Sequence, residues 1–265
     1  MTLTGLILAA GSGKRMHSDI PKVLHPIADT PMLEWVIRAL KKIPCDHICL
    51  VLSPHSSPFS ELLSRYPDLA ACIQKEANGT AGAVAASQNF FEGNLDVSYG
   101  HGSLLKGPKR VSKYVLICAG DTPALDVNIL RDFIEHCRLE SARLGVLGMN
   151  IPKPHGYGRM LLSKEGSLLR IVEEKDADDS TKKMRLCNSG IFYAEVEYLF
   201  HLLRKIDNKN AQNEYYLTDC VKIAASEGEK IAVSITDRWE TLQGVNDKEQ
   251  LASLDVWFRD HSIRK

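Results

Sequence analysis

Long hydrophobic runs, a surplus of either charge and paired cysteine motifs are all missing from this 265-residue chain, and each absence removes a class of function. No run approaches the ~18 consecutive apolar residues of a membrane-spanning helix. The apolar stretch at residues 6–10 is too short for a signal-peptide core and lacks a preceding basic region. Lys and Arg total 33 and Asp and Glu 33, for a formal net charge of zero, so the attraction that usually supports nucleic-acid or anionic-membrane binding is absent. Any anion site must be local. The seven cysteines are scattered and form no CxxC pair, which excludes the usual zinc and redox motifs and fits small core residues in a reduced, cytoplasmic setting. The nine histidines show no HExxH or HxxxH spacing, and no GxSxG elbow is present. Neither nucleic acid nor membrane is expected as a partner, and the sequence leaves the oligomeric state open.

What is present is the composition of a packed globular protein, 44% apolar and 25% charged. Residues 3–10 form a continuous apolar run ending at Gly11-Ser12-Gly13, the pattern of a parallel strand buried on both faces. A helix is expected through Met32, Leu33, Val36, Ile37 and Leu40, then a strand at 47–52, a helix near 59–65, a short strand near 71–74 and an alanine-rich helix over about 80–91. Residues 114–119 give a second apolar strand, stopping at Gly120-Asp121, with a helix behind it through Val127, Leu130, Phe133, Ile134 and Cys137. This alternation predicts an α/β fold with a mixed, mainly parallel sheet flanked by helices. Beyond Leu144, short strands at 145–150, 159–162, 168–173 and 190–194 suggest an added antiparallel lobe, followed by helices near 196–204, 217–227 and 248–258 and a strand near 230–235. Residues 93–113, rich in Gly and Lys, read as a mobile loop.

The chemistry concentrates at the first loop. Gly11 and Gly13 followed by Lys14, Arg15 and Lys22 place backbone N–H groups and cations at the carboxyl edge of a parallel sheet, where open α/β sheets bind ligands. A P-loop would need Gly at Leu8 and Ser or Thr at Arg15, and a dinucleotide fingerprint would need Gly at Met16, so both are excluded. A nucleotide phosphate fits this turn, and so does an ordinary tight turn. Asp121, ending a buried strand at the same edge, suits a metal ion bridging phosphates, although an Asp two residues before Pro123 also fits a plain turn.

Leu8-Ala9-Ala10-Gly11-Ser12-Gly13-Lys14-Arg15-Met16 matches the LAAGxGxRM signature of the sugar nucleotidyltransferases, and Pro21-Lys22-Val23-Leu24-His25 matches the PKVLH segment of their uridylyltransferases. Gln74 with Gly79-Thr80, Gly120-Asp121-Thr122-Pro123, Gly156-Tyr157-Gly158-Arg159, Val172-Glu173-Glu174, Asn188-Ser189-Gly190, Glu214-Tyr215-Tyr216 and Gly244-Val245-Asn246 continue the match in order. The chain thus resembles, over nearly its whole length, the uridylyltransferase domains of bacterial N-acetylglucosamine-1-phosphate uridylyltransferases.

That resemblance implies a Rossmann-like nucleotidyltransferase fold in one domain, with residues 1–143 taking the nucleotide, 144–236 forming a small antiparallel sugar-binding lobe and 237–265 supplying a metal ligand. It implies a Mg²⁺-dependent transfer in which a sugar 1-phosphate attacks the α-phosphorus of UTP and pyrophosphate leaves. Arg15 and Lys22 would be the catalytic cations. Leu8, Ala9, Ala10, Gly11, Gly13, Gln74, Gly79 and Thr80 would bind the nucleotide. Gly158, Glu173 and Asn188 would hold N-acetylglucosamine 1-phosphate, and Asp121 and Asn246 the Mg²⁺. Three departures stand out: Ala119 replaces a common Tyr and is expected to leave the acceptor pocket wider or weaker, Ala77 replaces a Gln, and the 93–113 loop is longer than the family's; Asn213 also replaces a Gly, at a position where Asn tolerates a left-handed backbone. Transfer to another sugar phosphate or from another NTP, and a catalytically weak nucleotide-binding regulator, are the alternatives. No hexapeptide repeat of the β-helical acetyltransferase type occurs in the sequence, so acetyl transfer and trimerisation are not implied.

Overall fold

The structure, a computed structural model, describes residues 2–11, 13–55, 57–94, 96–99, 103–106 and 112–262. In chain order the elements are β1 (Leu3–Leu8), β2 (Pro26–Ile27), β3 (Thr30–Pro31), α1 (Met32–Leu40), β4 (His47–Leu52), α2 (Ser60–Arg65), β5 (Ala70–Ile73), α3 (Thr80–Ala85) and α4 (Gln88–Phe91). They continue with β6 (Asp96–Tyr99), β7 (Ser103–Lys106), β8 (Tyr114–Ala119), α5 (Val127–Leu139), β9 (Leu144–Asn150), β10 (Arg159–Leu162) and β11 (Leu168–Val172). The last are α6 (Asp179–Lys182), β12 (Leu186–Glu195), α7 (Val196–Leu203), α8 (Asp219–Ser226), β13 (Ile231–Thr236) and α9 (Lys248–Ser262).

Among the described residues nine strands form one mixed sheet. β1 lies between β8 and β4, all three parallel, with β5 parallel beyond β4. β12 runs antiparallel to β8 and β9, and β13 pairs parallel with β9. The apolar runs of β1, β4 and β8 are continuous because each strand feeds two cores by alternation. Leu3 and Ile7, Leu50 and Leu52, and Leu116 and Cys118 face one core with α1 and α5 residues such as Val36, Ile37, Phe133 and Ile134. Leu6, Cys49, Val51, Val115 and Ile117 face the other, with Val84, Phe90, Leu199 and Val221 of α3, α4, α7 and α8. A third, smaller cluster packs Leu254 and Phe258 of α9 against Ile27, Met32 and Val245.

The expected helix over 80–91 is two helices, broken where the buried Ser87 turns its hydroxyl back onto the Val84 carbonyl at 2.6 Å. The antiparallel strands beyond residue 144 extend the main sheet instead of building a separate one. Within the expected mobile loop the chain forms the β6–β7 hairpin, with Asp96 opposite Lys106. Residues 95, 100–102 and 107–111 of that loop lie outside the described residues. Cys49, Cys72, Cys118, Cys137, Cys187 and Cys220 are buried free thiols and Cys45 is half-buried. Among the described residues no helix is long and apolar enough to cross a membrane.

The sheet forks at β12. One side of β12 follows β9 along its length, while the other meets β8 at Phe192–Glu195 and β10 only at Cys187. Between these ladders the register shifts at residues 188–191, and Gly190 takes a φ of +81°. Strands β8 and β10 therefore diverge at Asn188-Ser189-Gly190, and a cavity opens in the crotch.

Candidate functional site

The cavity has a volume of about 460 Å³ and is bounded by three groups of residues: the carboxyl ends of β1 and β8, the start of α3, and the fork at β12. Its base is fixed by main-chain bonds. Gly120 N–H donates to Leu8 O at 2.9 Å and Ala9 N–H to Val51 O at 2.8 Å, so the loops after β1, β4 and β8 are tied together. Leu8, Ala10 and Gly11 line the cavity. Ala9 lies beneath the lining, only 3% exposed, with its amide already committed.

Lys22 carries the electrostatics of one end. Gly13, at φ +57°, lets the Lys22 main chain approach so closely that a Cβ on residue 13 would lie 2.6 Å from Lys22 Cβ. The Lys22 ammonium forms an ion pair with the Asp121 carboxylate and donates to Asn246 Oδ1 at 3.4 Å. Arg15, exposed outside the cavity lining, donates to the same Asn246 oxygen at 3.1 Å. Asn246 is delivered by the segment before α9: Val245 N–H donates to Asp121 O at 2.9 Å, and the Val245 side chain is sealed in the α9 cluster. Helix α9 thus serves the site by anchoring Val245, which brings its neighbour Asn246 within reach of Lys22 and Arg15.

On the α3 side, Gln74, Gly79 and Thr80 line the cavity. Gly79 has φ +111°, and a Cβ there would lie 2.4 Å from Tyr215 O, so only glycine lets the two segments touch. Ala81 N–H donates to Tyr215 O, Tyr215 N–H to Asn78 O, and Leu217 N–H to Thr80 Oγ1, holding residues 213–217 along the cavity wall. Asn213, at φ +54°, starts this segment in the left-handed conformation expected of it.

At the fork, Asn188 Oδ1 accepts the Gly190 N–H at 3.0 Å, which leaves its amide nitrogen for a ligand. Glu173 is half-buried and accepts a hydrogen bond from Thr218 Oγ1 at 2.8 Å. Burial, helped by the charges of Asp219 and Asp176, raises its pKa above the ordinary carboxylate value despite the Thr218 bond. Gly158 packs beneath it, with room for no side chain: a Cβ would lie 2.8 Å from Ile171. Under this corner sits Arg159, 1% exposed, whose guanidinium donates to Tyr157 O, to Lys182 O at 2.9 Å and to Met184 O at 3.1 Å and pairs with Glu174 at 2.6 Å.

Of the residues expected to bind substrate, catalyse or hold metal, all but Ala9, Gly13 and Arg15 meet in the cavity lining, and these three lie behind or beside it. Sequence reasoning missed Thr218, whose hydroxyl serves Glu173, and Arg159 as the brace of its corner. Tyr157 also lines the cavity, with burial pushing its phenol up to about 12.

Residues 5–180 match the family model described as MobA-like NTP transferase domain. The chain belongs to this nucleotidyltransferase family. It is 39% identical over 251 residues to a Pelobacter propionicus protein named Bifunctional protein GlmU, a match covering 94% of this chain and 51% of that one. A Syntrophomonas wolfei protein of the same name is 33% identical over 265 residues, covering 100% of this chain and 55% of that one. The family member described here therefore spans about half the length of the curated relatives it matches. In fold it is similar to a UDP-glucose pyrophosphorylase solved with UDP-glucose, with a TM-score of 0.75, 14% identity and coverage of 98% of this chain and 100% of that one. Membership of this family agrees with the resemblance carried by the motifs.

Proposed function

We propose that the protein is a Mg²⁺-dependent uridylyltransferase that converts UTP and N-acetylglucosamine 1-phosphate to UDP-N-acetylglucosamine and pyrophosphate. The observation that carries this reading is the convergence of Asp121 and Asn246 on Lys22 at one end of a cavity whose other walls hold Gln74 with Gly79 and Glu173 with Asn188. A cationic end, a flat amide-edged side and a hydroxyl-binding fork match the three parts of a sugar nucleotide in order. Residues 1–143 then hold the nucleotide, 144–236 the sugar, and 237–265 contribute Asn246.

The donor set fits Mg²⁺. A carboxylate and an amide carbonyl, both hard oxygen donors, already share one cation, the Lys22 ammonium. Among the described residues no group of three or more His, Cys, Asp or Glu accompanies them, as expected where phosphates and water complete the shell. When bound, Mg²⁺ would neutralise charge on the triphosphate and the leaving pyrophosphate.

The attacking phosphate oxygen is anionic near neutral pH, so no general base is required. An oxygen of the sugar phosphate bonds to the α-phosphorus of UTP as the α–β bridging bond breaks, and the electron pair leaves with pyrophosphate. The chain's own work is alignment and charge compensation. Lys22 and Arg15 meet the phosphates, and backbone around Ala10 and Gly11, with Ala9 supporting it from beneath, joins Gln74 and Gly79 in reading the uracil edge. Gly158, Glu173 and Asn188 orient the sugar hydroxyls and N-acetyl group.

A second reading, transfer to a different sugar 1-phosphate, is favoured by Ala119, which lines the cavity with only a methyl group. A pyrophosphate-release assay pairing each common NTP with a panel of sugar 1-phosphates tests both. Turnover confined to UTP with N-acetylglucosamine 1-phosphate supports the first; a preference for another sugar selects the second; turnover only with another NTP, or none with any pair, rejects both.

A further inference from the structure

Gln74 forms a wall of the cavity, and its amide is held on one side by two acceptors. Nε2 lies 3.1 Å from Gly79 O and 3.2 Å from Asn78 Oδ1. Gly79 O is a main-chain carbonyl, anchored by the Ala83 N–H at 3.1 Å, and it can only accept. The Gln74 atom facing it must therefore be the NH₂ group, and the Asn78 atom facing that NH₂ must be its oxygen. Both protons of the Gln74 amide are thereby engaged. What Gln74 has left to offer a ligand is Oε1, which accepts no hydrogen bond among the described residues.

Asn78 is itself held in place. Its carbonyl takes the Tyr215 N–H at 2.8 Å, and its side chain lies flat against Gly82, where a Cβ would come within 1.7 Å of Asn78 Oδ1. Gly82 leaves the space that the Asn78 carboxamide fills.

We propose that Asn78 is a positioning residue for base selection: with Gly79 O it commits Gln74 to present an acceptor, so the site takes bases whose facing edge carries an imide N–H and rejects those presenting a bare ring nitrogen. The inference rests on the reading that Gln74 faces the base. Uracil and thymine carry an N3–H, whereas cytosine presents a lone pair at N3, and two facing acceptors repel in a buried site. A flipped Gln74 that could serve cytosine would set its oxygen against Gly79 O.

The test is the ratio of UTP to CTP affinity, measured by calorimetry without sugar phosphate and again as kcat/KM. Asn78→Ala frees one amide proton and is expected to lower the UTP preference about 5- to 10-fold, the usual value of one hydrogen bond. Asn78→Asp, which retains an acceptor, is expected to keep the preference. Gly82→Ala drives the Asn78 side chain away without altering either amide, and because Ala is the better helix former the fold should not suffer. It is expected to reproduce the Asn78→Ala ratio. An unchanged ratio in Asn78→Ala and Gly82→Ala, or an equal loss of both nucleotides, overturns the proposal. If no transfer occurs with any sugar, the binding ratio still decides this point. If Gln74→Ala binds UTP as tightly as wild type, the base lies elsewhere and both readings fall.

Discussion

Asp121 and Asn246 reach the same ammonium: Lys22, 99 residues before one and 224 before the other, pairs with the first and donates to the second. The meeting is built by main chain, through the Val245 N–H bond to Asp121 O, and does not depend on the side chains finding each other. Removing the ammonium while leaving this scaffold should therefore separate chemistry from folding. Lys22→Met is expected to lower kcat about 10²-fold or more, the usual scale for losing a preorganised charge at a transition state. Circular dichroism should stay that of the wild type. An active Lys22→Met enzyme would remove Lys22 from the mechanism.

Glu173 gives the protein a pH signature. Its carboxyl has a pKa raised above that of the unfolded chain, so the stability it contributes is present while it is protonated and is lost as pH rises through the folded value. Above its raised folded pKa the ionised Glu173 destabilises the fold, and Glu173→Gln, which can still accept from Thr218, is expected to melt higher than wild type there. Below the ordinary carboxylate range the two should melt together. The same variant should raise the KM for the sugar phosphate about tenfold while sparing that for UTP. Melting curves across pH 4–8 check the first part, and initial rates the second.

How much of this was readable beforehand depends on how local the cause is. β1 and β8 were legible because burial on both faces writes a mostly apolar run, broken in β1 only by Thr4 and Gly5. The break at Ser87 was not, because an alanine-rich stretch carries no sign that a serine hydroxyl will turn inward. The start of β12 was missed because Asn188-Ser189-Gly190 looks like a turn, and locally it is one: Asn188 caps the Gly190 N–H inside a strand irregularity. The motif residues named the site, but Thr218 and Arg159 act through partners distant in sequence, and no spacing rule reports a buried guanidinium that holds three carbonyls.

Arg159 bears the weight of that corner. Replacing it with Met leaves Glu174 with only the exposed His155, 3.5 Å away, and frees the carbonyls of Tyr157, Lys182 and Met184. Losing this pair, buried at its Arg159 end only, together with three main-chain hydrogen bonds should cost about 3 kcal/mol. Chemical denaturation measures it. Because the braced segment carries Gly158, the surviving folded fraction should lose sugar phosphate affinity more than UTP affinity.

Gly79→Ala tests the opposite wall. The added Cβ meets the Tyr215 main chain, not a movable side-chain tip, at a φ that L-residues avoid. The expected result is separation of residues 213–217 from α3, faster amide exchange at Ala81 and Leu217, and loss of nucleotide binding. Wild-type exchange at those amides would show that the contact does not hold the wall.

The most direct measurement of the central claim compares wild type with Asp121→Ala in two assays on the same preparations: pyrophosphate release from UTP with N-acetylglucosamine 1-phosphate, and Mn²⁺ binding followed by electron paramagnetic resonance in the presence of UTP. The account expects turnover in the wild type, a fall of about 10³-fold or more in the variant, and weakened Mn²⁺ binding with unchanged circular dichroism. Full activity and unaltered Mn²⁺ affinity in Asp121→Ala would contradict it.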